Sequence, residues 1–488
     1  MTSVAASAPP LDQSLVRRIR SVVGAEGLFI DPDQLLVYES DALTQYRHPP
    51  SAVVLPRTTE EVSLVLALLH AEGRAFVPRG AGTGLSGGAL AVGGSVLVGT
   101  ARMNRILELD SENRRARVQP GVVNSDLTRA ALLQGLIYAP DPSSQSACTM
   151  GGNVAENSGG PHCLKYGVTN RYVTGLTVVL PDGEVVELGG LEREPEGLDL
   201  VGAFVGSEGC FGIAAEIELT LIPESEGVRT LLGIFDSMEQ AGRAVTDIMA
   251  RGLLPAALEI IDSETIRAVE ASIFAAGYPT DAGAALVVEV DGVDAALDAE
   301  VAIARACCLS AGAREVRIAT NAEERLALWR GRKKAFGAMG RLAPDLLVQD
   351  ATVPRTRLPE VLRQVGEIGR RHGILVANVF HAGDGNLHPN LLFDRRDPDQ
   401  VKKVEAASKE IMEVCIRAGG TITGEHGVGF DKRAHMPLVC SHEVLRAMAR
   451  LKEAFDPLGR SNPGKVLPDG YGPRSGAGAR GAEVGRGT

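Results

Sequence analysis

The sequence predicts an α+β protein of two to three domains. Short strands joined by glycine-rich loops come first, and longer helices alternating with strands follow. Three observations carry that expectation. The chain has 488 residues, well beyond the ~100–200 that one compact core usually serves. Its 44% hydrophobic and 23% charged content is that of an ordinary folded chain and excludes disordered, collagenous and coiled-coil classes. Its character also changes near Pro223, where glycine-dense sequence gives way to helical periodicity.

Residues 1–50 read as an N-terminal helical segment, with a helix over 11–24. A first domain covers 51–223. In it, 51–55 is a strand, 59–73 an amphipathic helix with Val62, Val65, Leu66 and Leu69 on one face, and 75–78 a second strand. A glycine-rich loop runs from there to about Gly94. Strands at 95–99 and 116–118, a helix at 124–134, a second glycine-rich loop at 140–160 and strands at 176–180 and 213–222 complete it. The second domain, 224–468, has helices at 239–251, 294–311, 321–341, 357–372 and 442–455, with strands such as 284–290 and 374–380. Residues 469–488 are too polar and glycine-rich to bury a core and read as a disordered tail.

Fifty basic against sixty-one acidic side chains leave a net charge of -11, the wrong sign for nucleic acid. The seven cysteines are scattered and form no Cys-x-x-Cys knuckle. They predict a reducing compartment and no iron–sulfur cluster on this chain. The N-terminus lacks a signal-peptide core. Residues 82–100 carry no charge but include seven glycines, a poor membrane helix. A soluble, cytoplasmic protein is expected, and a peripheral contact at the inner face of the membrane stays open.

Two segments suit a phosphate-rich ligand. In 77–89, VPRGAGTGLSGGA, small residues after a strand let backbone N–H groups turn inward on an anion. The segment matches G-x-G-x-x-G, but no helical pattern follows and the P-loop Gly-Lys-Ser/Thr is absent. In 149–160, TMGGNVAENSGG, a second stretch is built for close backbone approach. Together they point to a long diphosphate ligand such as a dinucleotide.

A sharper signal is HAGDGNLH, 381–388. Asp384-Gly385 favours a two-residue hairpin turn, which pairs Gly383 with Asn386 and His381 with His388. Opposed residues share a face with Cβ atoms roughly 4.5–5.5 Å apart, close enough for both imidazoles to hold one metal ion. The period of two adds Asn390 to that face. In GEHGVG, 424–429, flanking glycines allow a bend, so Glu425 can complete a His-His-Glu site and leave His426 as a free base. The alternatives are paired histidines capping a barrel edge and a surface Glu-His turn. In the helix around 329–334 a charge run is ordinarily a solvated face, yet one arginine can turn inward on a carboxylate. Cys307 and Cys308 read as helix packing.

These motifs, with LWRGRKKAFGAMGR (328–341), NVFHAGDGNLHPN (378–390) and NPGK (462–465), resemble the flavin-binding subunit family of bacterial glycolate oxidases. That family lies within the vanillyl-alcohol-oxidase-like FAD proteins. The likeness spans about 35–468. It implies a vanillyl-alcohol-oxidase/PCMH-type FAD-binding domain followed by a C-terminal FAD-linked oxidase α+β cap domain. It further implies that Pro78, Arg79, Gly80, Ala81, Gly82, Thr83, Gly84, Leu85, Ser86 and Gly87 wrap the FAD pyrophosphate. Pro140, Asp141, Ser144, Thr149, Gly151, Gly152, Asn153, Ala155, Asn157, Gly159 and Gly160 would line the flavin ring and ribityl chain. Gly206, Glu208, Gly209, Gly212 and Ile213 would close over the adenine half, joined by Asn462. A divalent metal, zinc or manganese, would sit on His381, His388 and Glu425, with His426 as base, Arg332 on the substrate carboxylate and Asn390 facing substrate. Where some relatives carry threonine and lysine as further substrate contacts, this chain has Phe336 and Val348, which favours a small monocarboxylate over a dicarboxylate.

The implied reaction converts a small 2-hydroxy acid, glycolate or D-lactate, to its 2-oxo acid, glyoxylate in the first case. The electrons would pass to partners, a second flavin-type subunit and an iron–sulfur subunit. The rivals are a stand-alone D-lactate dehydrogenase, a zinc hydrolase that activates water at the same ligands, and a non-catalytic FAD-binding subunit.

Overall fold

In the computed structural model, which describes residues 10–190 and 197–472, the first apolar stripe folds as the helix Gln13–Val23. It buries Leu15, Val16, Ile19 and Val23 in one cluster with Val62, Val65, Leu66 and Leu69 of the helix Thr59–Ala71. The N-terminal segment is more than helical. Its strand Leu28–Phe29 pairs antiparallel with Ala52–Val54 and becomes the edge of a four-stranded sheet that continues through Val96–Gly99 to Phe76–Arg79. The last three strands are parallel.

A second, antiparallel sheet orders Ile106–Asp110, Arg115–Val118, Ile213–Thr220, Val173–Val179 and Val185–Gly189. The glycine-rich stretch after Arg79 stays non-helical apart from a 3-10 turn at Val92–Gly94, as its sequence indicates. The second glycine-rich stretch differs from the expected loop, because Met150–Glu156 is a short helix. Its glycines serve close packing: a Cβ on Gly151 would lie 2.6 Å from Cβ of Pro120.

Beyond Pro223 a nine-stranded sheet forms the second domain. Its centre runs Gly227–Phe235, Ala284–Gly292, Ala257–Asp262, Leu375–His381, all antiparallel neighbours. Alternation along Ala257–Asp262 sets the two faces. Leu258 and Ile260 join the core under the helices Met238–Ala250, Asp294–Ser310 and Leu358–His372. Ala257 and Ile261 join the core that holds Trp329, Ala335 and Met339. Glu259 lies between them on this second face. The single helix expected at 321–341 is two, Ala322–Lys333 and Ala335–Met339, because Lys334 leaves the helical region at φ −105°, ψ 5°.

The last helix, His442–Phe455, falls where the sequence places it. The chain then returns to the first domain. Phe455 stacks on Phe211 at 4.6 Å and Ser461 bridges Phe76. At the start of the stretch read as a tail, Asp469 accepts from Arg433 at 2.5 Å and Tyr471 bonds His442 at 2.6 Å. The remainder of that stretch, from 473, lies outside the described residues. Among the described residues, no helix is long and apolar enough to cross a membrane.

Candidate active site

A cavity of about 620 Å³ opens between the two domains. One wall is the backbone that follows the strand Phe76–Arg79: Pro78, Arg79, Gly80, Ala81, Gly82, Thr83, Gly84 and Leu85 all line it. Opposite come Ser144, Thr149, Gly151, Gly152, Asn153, Ala155 and Gly159, and then Glu208, Gly209, Gly212, Ile213 and Asn462. Other residues tied to the cofactor in the sequence stand behind this lining. The carbonyls of Ser86 and Pro140 accept from Phe430 and Asn124. Asp141 holds His162 at 2.8 Å, Asn157 caps its helix in the left-handed conformation, and the N–H of Gly206 donates to Val154. Gly87 and Gly160 are turn positions at positive φ. A trough walled by glycine backbone, with Thr149 Oγ1 and Ser207 Oγ lacking hydrogen-bond partners among the described residues, fits a diphosphate dinucleotide.

The far end of the cavity belongs to the second domain. Here the hairpin differs from its expected register. The turn spans four residues, 382–385, and places His381 opposite Asn386, with Ala377 opposite Asn390. Neither the Gly383–Asn386 pair nor the direct His381–His388 pair forms. The cause is the Asp384 side chain, which accepts from the backbone of Asn386 at 3.1 Å and so favours a wider turn. The slip is two residues, an even number, so every side chain keeps its face. His381 and His388 end as diagonal neighbours, rings 5.2 Å apart and nearly perpendicular.

Glu425 reaches both, its Oε1 lying 3.2 Å from His381 Nε2 and 3.0 Å from His388 Nε2. The three ligand atoms fall within 4.8 Å of one another. Two imidazole nitrogens and a carboxylate oxygen, all turned to one point, are a donor set that fits a borderline divalent ion such as zinc or manganese. Burial alone would push the His381 imidazole down, but Glu259 and Glu425 hold it well above its ordinary value. Burial would likewise raise Glu425, yet His381 and His388 keep it well below the usual carboxylate range.

The bend that separates Glu425 from His426 has a cause the sequence did not reveal. Asp350, fully buried, accepts from the backbone N–H groups of Gly424, Glu425 and His426 at 2.9–3.2 Å. It also accepts from Thr423 Oγ1 and Lys432 Nζ. The loop then turns at Gly427, φ 83°, where a Cβ would sit 2.7 Å from Glu156 Oε2 and 2.9 Å from Glu208 Oε1. His426 stacks on His388 at 4.9 Å and lines the cavity. Its Nδ1 is buried and unpartnered among the described residues. Burial pushes its pKa down to about 4, outweighing the pull of Asp350, so the ring is neutral at pH 7.

Arg332 lines the same cavity. Its Nε donates to Glu259, and among the described residues its terminal nitrogens donate to no side chain. Asn390 is fully buried, and its amide donates to the carbonyls of Ala377 and His388 at 3.1 and 2.7 Å. It is not among the residues that line the cavity, and its Oδ1 has no hydrogen-bond partner among the described residues. Phe336 and Val348 do line the cavity. Glu259 and Asp350 are not marked in the sequence because each is an acid in an otherwise ordinary apolar or polar run, and Glu156 is hidden inside 149–160, where the glycines point to backbone approach and not to a side chain.

Comparison with known proteins matches residues 50–189 to the FAD binding domain family and residues 224–466 to the family of FAD linked oxidases, C-terminal domain. The glycolate oxidase subunit GlcD of Escherichia coli (strain K12) is 45% identical over 94% of this chain and 92% of its own length. A D-lactate dehydrogenase of Anaerostipes hadrus is 34% identical over 86% of this chain and 89% of its own. A crystal structure of p-cresol methylhydroxylase shares the fold, with a TM-score of 0.79, 16% identity and coverage of 95% and 99% of the two chains. With two family models matched and curated relatives this similar along nearly the whole chain, the chain belongs to the FAD-linked oxidases, as an FAD-dependent oxidoreductase.

Proposed function

We propose that this protein oxidises a small 2-hydroxy acid, glycolate or D-lactate, to the 2-oxo acid. The observation that carries the reading is convergence: the glycine-walled trough, the His381–His388–Glu425 cluster, His426 and Arg332 open on one cavity. A flavin held by the trough and a divalent ion held by His381, His388 and Glu425 would supply a two-electron acceptor and Lewis acidity. The chain's own residues do the rest. Arg332, anchored through Nε, presents its remaining N–H groups to the substrate carboxylate. The neutral His426 accepts the hydroxyl proton as the hydride leaves Cα. Phe336 and Val348 add apolar wall, which suits a short substrate without a second carboxylate.

The similarity to a D-lactate dehydrogenase supports a second reading, in which D-lactate is the main substrate and the chain works alone. The likeness to oxidase subunits supports partners: a second flavin-type subunit and an iron–sulfur subunit that carry the electrons onward, at the cytoplasmic face of the membrane. Anaerobic mixing with 2-hydroxy acids of both hands tests the reading. Glycolate and D-lactate are expected to bleach the flavin and L-lactate to leave it oxidised. Bleaching by none of them would overturn it.

A further inference from the structure

The two acidic neighbours of His381 lie on opposite sides of its ring. Glu425 meets Nε2, and Glu259 takes Nδ1 at 2.5 Å. Glu259 sits directly opposite His381 across the strand pair, so both side chains share a face and the contact follows from register. The second oxygen of the same carboxylate accepts from Arg332 Nε, which arrives from the helix Ala322–Lys333. All three groups are buried, Glu259 completely. A carboxylate in that position would be costly unless each oxygen served a cationic or N–H partner, and here each does.

Building on the metal and carboxylate roles proposed above, we propose that Glu259 is the positioning residue that couples the two. By holding Nδ1–H of His381, it fixes the ring with Nε2 as the ligand atom. By holding Nε of Arg332, it aims the terminal nitrogens at the substrate carboxylate. One side chain thereby sets the distance between the metal ligands and the carboxylate anchor. A buried ion pair that served stability alone would not link the two binding events.

The test uses the flavin-loaded protein and two probes: Mn²⁺, followed by electron paramagnetic resonance, and oxalate, which has no C–H bond to oxidise, followed by the flavin spectrum in metal-free protein. Glu259→Gln keeps the shape but is left with a single acceptor oxygen for two donors. Its Mn²⁺ affinity is expected to fall about 10–100-fold, the usual effect of losing a residue that orients a ligand. Oxalate binding without metal is expected to weaken about 10-fold, as when a charge-assisted hydrogen bond is lost. Glu425→Gln, as comparator, weakens Mn²⁺ but not metal-free oxalate. If Glu259→Gln yields no flavoprotein, Glu259→Asp, one methylene shorter, is expected to show the same paired loss. A flavin-loaded Glu259 variant in which only one affinity falls, or neither, overturns the coupling. Failure of the wild type to bind Mn²⁺ would instead overturn the metal reading, and with it the His381 half of the proposal.

Discussion

His426 is held in a state that its neighbours choose. Buried against His388, it stays neutral well below pH 7, and in the proposed reaction its position beside Glu425 would put a proton acceptor next to the metal ligands without making it one of them. His426→Ala is therefore expected to retain flavin and divalent metal while turnover falls roughly 10²–10⁴-fold, the usual worth of a general base. Flavin spectra, metal analysis and steady-state rates check it. Metal loss in that variant would recast His426 as a ligand, through the alternative cluster it forms with Asp350 and His388. At this scale the sequence was most informative where chemistry demands rare residues. Two histidines around Asp-Gly and a Glu-His between glycines are legible because few structural needs call for them. Glu259 and Asp350 are not legible: a single acid in AALEII or QDAT looks like any strand-edge carboxylate until the fold buries it.

Elements place those residues, and here the sequence predicted parity better than register. The period of two fixes which side chains share a face, so His381, His388 and Asn390 stay together although the hairpin turn is two residues wider than Asp-Gly suggests. The Asp384 side-chain bond that widens it competes with a tighter turn in a way no pattern of apolar residues reports. Likewise the helix Met150–Glu156 hides in a glycine-rich stretch because its stability comes from packing on Pro120, not from helix propensity. The loop 423–428 relies most on one distant group. Asp350→Ala would strand three backbone N–H groups and leave Lys432 without its carboxylate, a cost of roughly 3–5 kcal/mol for a broken buried pair. The melting temperature is expected to drop by about 5 °C or more, with weaker metal binding. An unchanged melting temperature would show that the loop holds itself.

Across the whole molecule, the candidate active site lies where two domains meet, and a cluster of interdomain bonds joins them. His162 of the first domain lies between Asp141 and Glu289, 2.8 and 3.2 Å away. Lys165 and Tyr166 bind Asp291 on the same strand of the second domain. Burial would lower the His162 pKa, but Asp141 and Glu289 raise it to about 10, against about 6.5 in the unfolded chain. A raised folded pKa stabilises fully below the unfolded value and the contribution is lost as pH climbs through the folded one. The melting-temperature gap between wild type and His162→Gln is thus expected to be widest near pH 6 and to narrow progressively toward about pH 10. A gap that widens with pH would contradict it. The composition shift at Pro223 makes the two-domain plan legible, but the return of Phe455 and Ser461 to the first domain depends on contacts hundreds of residues apart, which local patterns do not encode. The proposed reaction has flavin and metal held by different domains and acting on one substrate. Its most direct test is the rate of anaerobic flavin bleaching by glycolate and D-lactate in protein stripped of divalent metal and then reconstituted. Stripping is expected to leave the flavin bound and bleaching slow, with Zn²⁺ or Mn²⁺ restoring the rate in the wild type but not in His381→Ala. Bleaching at the same rate with and without metal would contradict it.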